Sequence, residues 1–534
     1  MSDSFLSALP PLPLPRELRT WDAAAARLGI PEVLLMENAG KAAFDVLRSH
    51  MPECCGQDVW LFMGSGNNGG DAACLARWLL DAGAHPLVLH ACPLTDCKGT
   101  AAKHARMAKA AGVAFAPIKR HMFKNPPAVL VDGLLGTGLT GSVRPELQAI
   151  IARINAITAQ RACFVLALDI PSGLNAATGQ PSPIAVRASA TVSFAAAKPG
   201  LVLPEAGQWT GRLSVRPVGI PARIHAAFPC GARLLDENCL LSKLPQNAHK
   251  NSFGHLLVIG GAQGHCGAAH LAARAGLRAG AGLVTAVAPA ANISEIKNAW
   301  PEIMTLALGA IGDWPANIPA ELRALTRRCT ALVVGPGMGR TRDTARFLEA
   351  FLTTLGDARP STVFDADALT VLADNPTLLR YMTKTDILTP HPGEAAVLLG
   401  CDTKTVQTDR WAALKKLCAL CDGVVLLKGA GTLVGQRDKP VLISPYDVPQ
   451  LATAGSGDVL AGCLGALLAE PGEQPDERSS LCVAGRGVIL HALAGLQCAK
   501  VLPLRGNTAG DIADALPLAR LARQKPDEVP PLWK

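Results

Sequence analysis

One unit recurs along this chain and restricts its fold more than anything else. A short apolar run ends in a turn of glycine with Asp, Asn or Ser, and a helix-like stretch follows. Asp58-Val59-Trp60-Leu61-Phe62-Met63 opens into Gly64-Ser65-Gly66-Asn67-Asn68-Gly69-Gly70-Asp71, then a helical stretch from Ala72 to Leu80 and a strand from Pro86 to His90. Ala128 to Asp132 leads into Gly133–Gly141, Cys163 to Leu168 into Asp169-Ile170-Pro171-Ser172-Gly173, and Ala190 to Ala195 into Lys198-Pro199-Gly200. The later chain keeps the rhythm with different loops: strands at 255–259, 283–287, 331–334, 362–364, 387–389 and 424–427, followed where loops are conspicuous by Gly260–Ala268, Gly335–Gly339, Asp365–Ala368, Pro390–Glu394 and Lys428–Thr432. Brief apolar runs between turn residues read as buried strands, and alternation with helices builds parallel sheets. Loops at the carboxyl ends of such strands gather along one edge, where ligands bind.

A chain of 534 residues exceeds what one core supports. Periodicity lapses between 222 and 253, so a boundary is expected near 225–232, giving domains 1–225 and 232–534. Aromatics make up only 4% and the net charge is +8, which suits a phosphate-bearing small ligand and excludes a nucleic-acid-binding stripe. The 16 cysteines are scattered among apolar residues, as in reduced thiols of a cytoplasmic protein. Cys418 and Cys421 form a lone pair that reads as helix packing. No run of about 18 apolar residues lacks charge or Gly/Pro punctuation, so no membrane span is expected.

Thr453-Ala454-Gly455-Ser456-Gly457-Asp458 precedes an apolar run, Val459 to Leu468, of helical spacing. Glycines at a helix N-terminus offer unpaired N–H groups to a phosphate. Asp458 in that turn reads as a base taking a proton from a hydroxyl, or as a helix cap. The turn at 64–71 is neither a P-loop nor a clean GxGxxG. Its Asn and Asp acceptors suit a ribose, an amide or a cation. Lys428 can offer a point charge to phosphate or be an ordinary solvated lysine. His391, between two prolines, is a positioned ligand or a satisfied structural histidine. Glu37-Asn38-Ala39-Gly40 could serve a ligand or bond locally.

Gly64–Asp71, Asp132–Gly141 and Asp169–Gly173 resemble the NAD(P)H-hydrate epimerase domain, whose loops read GPGNNGGDG, D-x-x-x-GTGL and DIPSG; Ser65 and Ala72 depart from that pattern. The resemblance implies that Asn67, Asn68, Gly69, Gly70 and Asp71, with Gly136, Thr137, Gly138, Leu139, Thr140 and Gly141, hold the hydrated nucleotide. It implies a potassium ion on Asn68, Asp132 and Ser172, and Asp169 touching the substrate. From about 232 to 515 the chain resembles the NAD(P)H-hydrate dehydratase branch of the ribokinase-like superfamily. The motifs are HKxxFGxLLVIGG at His249, GPGxG at Gly335, DADAL at Asp365, TPHPGE at Thr389, KGAGT at Lys428 and AGSGDVLAG at Ala454. That implies an adenine nucleotide on Lys428, Gly429, Ala430, Gly431, Thr432 and Gly457, and the substrate on Ala268, Gly337, His391 and Asp458.

The resemblances imply a Rossmann-like epimerase domain fused to a ribokinase-like dehydratase domain, each a three-layer α/β sandwich around a mainly parallel sheet. The expected enzyme interconverts the epimers of hydrated NADH and NADPH, with Asp169 catalytic. It dehydrates one epimer at the expense of ADP, with Asp458 catalytic. Magnesium is expected without a clear ligand set, as are a homo-oligomer and the absence of nucleic acid or membrane partners. A kinase for a small alcohol and a non-catalytic nucleotide-binding scaffold are the competing readings.

Overall fold

The computed structural model describes the chain except residues 1–3, 55, 120–122, 124, 140, 241–248, 310–312, 471–478 and 525–534. It separates into two compact units, one of residues 11–232 and one of residues 1–10 with those from Arg233 onward. The expected boundaries are displaced at both ends. Leu6, in the helix Ser4–Ala8, and Leu9 join the core of the second unit, and Arg233 donates to the Leu9 carbonyl at 3.0 Å. The join itself falls after Ala232.

The first unit is built on seven parallel strands: β1 Asp58–Met63, β2 His85–His90, β3 Ala114–Pro117, β4 Val129–Gly133, β5 Phe164–Leu168, β6 Ala190–Phe194 and β7 Arg212–Arg216. Their order is β3-β2-β1-β4-β5-β6-β7. Alternate residues feed two cores: Val59, Leu61, Val129, Val131 and Leu166 on one face, Phe62, Leu130 and Val165 on the other. Both faces are therefore covered, which is why these strands read as unbroken apolar runs. β3 and β7 were not anticipated; their residues are largely half-exposed edge positions. Before β1 the chain forms two helices, Pro15–Arg27 and Glu32–His50, separated where Gly29 takes φ +84° and Pro31 follows.

Among the described residues the second unit has ten strands: β8 Ala232–Leu234, β9 His255–Ile259, β10 Leu283–Pro289, β11 Met304–Leu308, β12 Ala331–Val334, β13 Ser361–Phe364, β14 Ile387–Leu388, β15 Val424–Leu427, β16 Leu433–Gly435 and β17 Val441–Ile443. They are ordered β11-β10-β9-β12-β13-β14-β15-β16-β17-β8. β11 through β15 are parallel, and β15, β16 and β17 turn back on one another antiparallel. Val258, Val333 and Leu426 point into one core, Leu257, Leu332 and Phe364 into the other. Helices Cys266–Ala279 and Ser456–Ala469 pack backbone to backbone: a Cβ at Gly462 would lie 1.9 Å from the Ala272 oxygen. Helix Ser480–Val501 is long and apolar enough by length and composition to cross a membrane, but Gly485, Arg486, Gly487 and Gly495 punctuate it, and 89% of its most apolar window is buried in this unit as a core helix.

Candidate functional site

In the first sheet the strand order reverses between β1 and β4, and a crevice at their carboxyl ends is the expected binding place. A cavity of about 880 Å³ lies there, lined by Asn67, Asn68, Asp71, Gly136, Thr137, Gly138, Leu139 and Asp169, all named from sequence. Asn67 to Asp71 do not form a loop, as expected, but the opening of helix Asn67–Asp81, capped by Gly66. Gly69 and Gly70 are buried within it, and Gly141 sits at φ +76° at the far end of the GTGL turn. Thr140 lies outside the described residues. The crowding explains the glycines: a Cβ at Gly64 would stand 1.9 Å from the Leu134 oxygen, and one at Gly69 2.0 Å from the Gly64 oxygen.

Asp132, at the end of β4, is fully buried. It accepts from the Ser172 hydroxyl at 2.6 Å, the Ser172 N–H at 2.7 Å and the Leu134 N–H at 3.3 Å. Burial pushes its carboxyl up to about 6 against those donors. Asn68 donates to the Leu135 carbonyl at 2.8 Å, and its own Oδ1 is buried with no partner among the described residues. An orphaned amide oxygen beside the Asp132–Ser172 pair fits a hard cation with oxygen ligands.

Asp169 is a non-glycine residue at φ +61°, a strained conformation of the kind that collects at functional sites. Its carboxyl accepts from the ammonium of Lys198 and from the Phe194 N–H at 3.2 Å. Lys198 is fully buried, and also donates to the Ser193 hydroxyl at 2.9 Å and the Phe194 carbonyl at 3.1 Å. It was not singled out from sequence, although Lys198-Pro199-Gly200 follows β6 as the other site loops follow their strands. Asp22, from the preceding helix, also lines the cavity; burial, then Glu32 and Asp169, raises its carboxyl to about 6. Nothing in its amphipathic helix marked it.

Glu37 and Asn38 are taken up by bonds to residues distant in sequence, not by local ones. Trp78 donates to Glu37 at 3.0 Å, Arg77 pairs with it, and Asn38 donates to the Val218 carbonyl at 2.8 Å. Glu37, Cys74 and His104 bring ligand-type atoms within 4.8 Å of one another. The Arg77 guanidinium already lies against both Glu37 and the thiol, and burial drives that thiol far up, so the charge there is met by arginine.

In the second unit the loops after β13, β14 and β15 bring Asp365, Glu394 and Lys428 to the N-terminus of helix Ser456–Ala469. Gly455 caps it in the left-handed region at φ +84°, with Asp458 in the first turn. Asp458 is half-buried, and burial, then Asp365, pushes its carboxyl up to about 7; Asp367 and Glu394 add to the rise and Lys428 opposes it. Lys428 is no solvated lysine. It donates to Asp365 at 2.8 Å, stands 3.8 Å from Glu394, and a Cβ at Gly457 would lie 3.4 Å from its Nζ. Thr389 holds the same Asp365 oxygen at 2.6 Å.

His391 is a helix cap whose Nδ1 accepts from the Gly393 and Glu394 N–H groups at 3.0 and 3.2 Å. The ring hydrogen then sits on Nε2, which lies 3.5 Å from the Glu394 carboxylate at the exposed edge of the ring, so the cap role is filled and the ring still borders solvent. Gly337, at φ +57°, packs against Ala268: a Cβ on it would lie 3.0 Å from the Ala268 Cβ. The Gly429-Ala430-Gly431-Thr432 turn is braced by Arg410, whose guanidinium donates to the carbonyls of Ala430, Leu427 and Lys428 at 2.5, 3.3 and 3.4 Å. Arg410 opens helix Arg410–Leu420, far from the turn in sequence, and no motif pointed to it. Behind the cradle, buried His491 meets the Ser456 hydroxyl at 3.3 Å, and burial lowers its imidazole to about 4, keeping it neutral. A separate cavity of about 650 Å³ lies at the opposite strand ends, by His255, Leu283 and Met304, and contains none of these loops.

Family models agree with this division. Residues 32–200 match the YjeF-related protein N-terminus and residues 256–518 match NAD(P)H-hydrate dehydratase. A Coxiella burnetii protein, the bifunctional NAD(P)H-hydrate repair enzyme Nnr, is 37% identical over 502 residues, covering 93% of this chain and 96% of its own. Proteins of that name from Moorella thermoacetica and Escherichia coli are 35% and 34% identical, over 92% of this chain in each case and 93% and 90% of theirs. Similarity that runs nearly end to end, through both sheets and their loop edges, makes this chain a member of the bifunctional NAD(P)H-hydrate repair enzyme family.

Proposed function

We propose that the two units carry out successive steps in repairing hydrated NADH and NADPH: epimerisation at the first site, then ADP-dependent removal of water from the S epimer at the second. The observation that carries this reading is Asp458, a half-buried carboxylate one turn from a glycine-capped helix N-terminus and beside a lysine. Hydroxide leaves poorly, so the alcohol is first made a phosphate ester. Asp458 takes the hydroxyl proton as the phosphoryl group transfers, and the Gly455–Gly457 amides stabilise the phosphoryl oxygens as charge shifts. Elimination then releases phosphate and restores the ring double bond. His391, Gly337 and Ala268 position the substrate; Lys428 to Thr432 and Gly457 hold the nucleotide.

Magnesium would arrive on the phosphates, since Asp365 and Glu394 are engaged by Lys428 and leave no dedicated cage. In the first unit Asn68, Asp132 and Ser172 would hold potassium, which when bound supplies a fixed positive charge beside the buried Asp132. Thr140 remains assigned to substrate by resemblance alone. A cytoplasmic location and self-association belong to this same reading. Incubating the protein with hydrated NADH, ADP and magnesium is expected to restore the dihydronicotinamide absorbance. Phosphorylated product without recovery would instead mark a small-alcohol kinase, and no turnover at all a scaffold.

The working form of Asp458 is the carboxylate, so dehydration should be lost as pH falls through about 7. A kcat/KM profile for the S epimer that stays flat from about pH 6 to about pH 8 would remove Asp458 as the base. Arg410→Lys cannot reproduce three carbonyl contacts from one planar fork. The KM for ADP is expected to rise about tenfold, with kcat at saturation little changed. Steady-state titration of ADP checks this.

A further inference from the structure

The epimerase cavity holds two carboxyls in contrasting surroundings. Asp71 is buried in the wall of the cavity, and among the described residues its carboxyl has no hydrogen-bond partner. Asp169 lines the same cavity and is braced by an ammonium and a backbone N–H. Charge-assisted bonds of that kind suit an ionised carboxylate. Burial, with the nearby charges of Asp169 and Asp22 adding to it and Lys198 opposing, holds Asp71 well above the usual carboxylate range. Two carboxyls whose environments separate them are the pattern of an acid paired with a base.

The substrate needs such a pair. The ring double bond of a dihydronicotinamide is an enamine, so water places its hydroxyl on the carbon next to the ring nitrogen. The two epimers differ at that carbon. Inverting it requires the C–O bond to break with its electron pair on oxygen, while the nitrogen lone pair forms a C=N⁺ bond. The departing hydroxyl gains a proton and leaves as water. A second water then adds from the other face, loses a proton, and returns the electron pair to nitrogen. No oxidant or reductant is consumed. One proton is given on one face and one is taken on the other, the same demand met by paired carboxyls in inverting glycosidases.

We propose that Asp71 gives the proton to the departing hydroxyl and Asp169 takes the proton from the entering water, the two exchanging roles for the opposite epimer. Each turnover leaves Asp71 ionised and Asp169 protonated, which is the form that acts on the other epimer. This rests on the first unit being the epimerase.

The test uses the full chain without ADP, so that only epimerisation is observed, with chromatographic separation of the two hydrates. Wild type in heavy-oxygen water should incorporate label into the hydroxyl once per inversion. Asp71→Asn should slow inversion by at least about 100-fold. Its ADP-dependent dehydration of the S epimer should be unchanged, which confirms a folded chain. Wild type that inverts without taking up label overturns the C–O cleavage, and an Asp71→Asn rate within about threefold of wild type overturns the acid role. Wild type that does not invert at all removes the epimerase reading itself, a result distinct from either.

Discussion

Asp458→Asn is expected to lower ADP-dependent dehydration by about 10²- to 10⁴-fold while epimerisation continues at the wild-type rate. Asparagine keeps the size of the side chain and the helix turn but cannot take a proton. The crowd of carboxylates that lifts Asp458, Asp365 first among them, loses one member, so the folded unit should melt no lower than wild type. The measurement is paired: recovery of dihydronicotinamide absorbance with ADP, and interconversion of the hydrates without it. Equal loss of both activities would mean that the substitution damaged the fold. Undiminished dehydration would remove the base from the scheme.

Lys198→Met should act in the other unit and on two readouts at once. The lysine is wholly buried, and its ammonium is the main support of Asp169. Removing one member of a buried ion pair leaves the other uncompensated, at about 3–5 kcal/mol. The thermal transition of residues 11–232 should fall accordingly, and epimerisation should be lost even below that transition, because Asp169 is no longer held where the substrate meets it. Dehydration of the S epimer should survive. Calorimetry alongside the two assays checks this, and an unchanged epimerisation rate would show that the lysine serves packing alone.

Much of this arrangement was legible in the chain. Strands such as 58–63, 255–259, 331–334 and 424–427 were visible because both faces of each sheet are covered and the runs are apolar throughout. Strands β3, β7 and β11 were missed for the opposite reason: at the edges their residues are half-exposed and the pattern dissolves. Motif residues were legible because glycine is demanded by close approach, as at Gly64 and Gly337. Lys198 and Arg410 were not, because a buried cation is recognisable only by the carboxylate or carbonyls it meets, and these come from distant parts of the chain. The opening of helix Asn67–Asp81 was misread as loop because Asn and Gly are poor helix formers, and tertiary context overrode that preference.

The placement of Leu6 and Leu9 has a consequence for how the protein can be taken apart. In topological terms residues 11–232 are an insertion, with the host unit's polypeptide starting before it and resuming after it. A fragment cut cleanly at the join would therefore carry every dehydratase motif yet lack a piece of its own interior. On the ribosome, likewise, Leu6 and Leu9 must wait until the inserted unit has emerged before they find their partners.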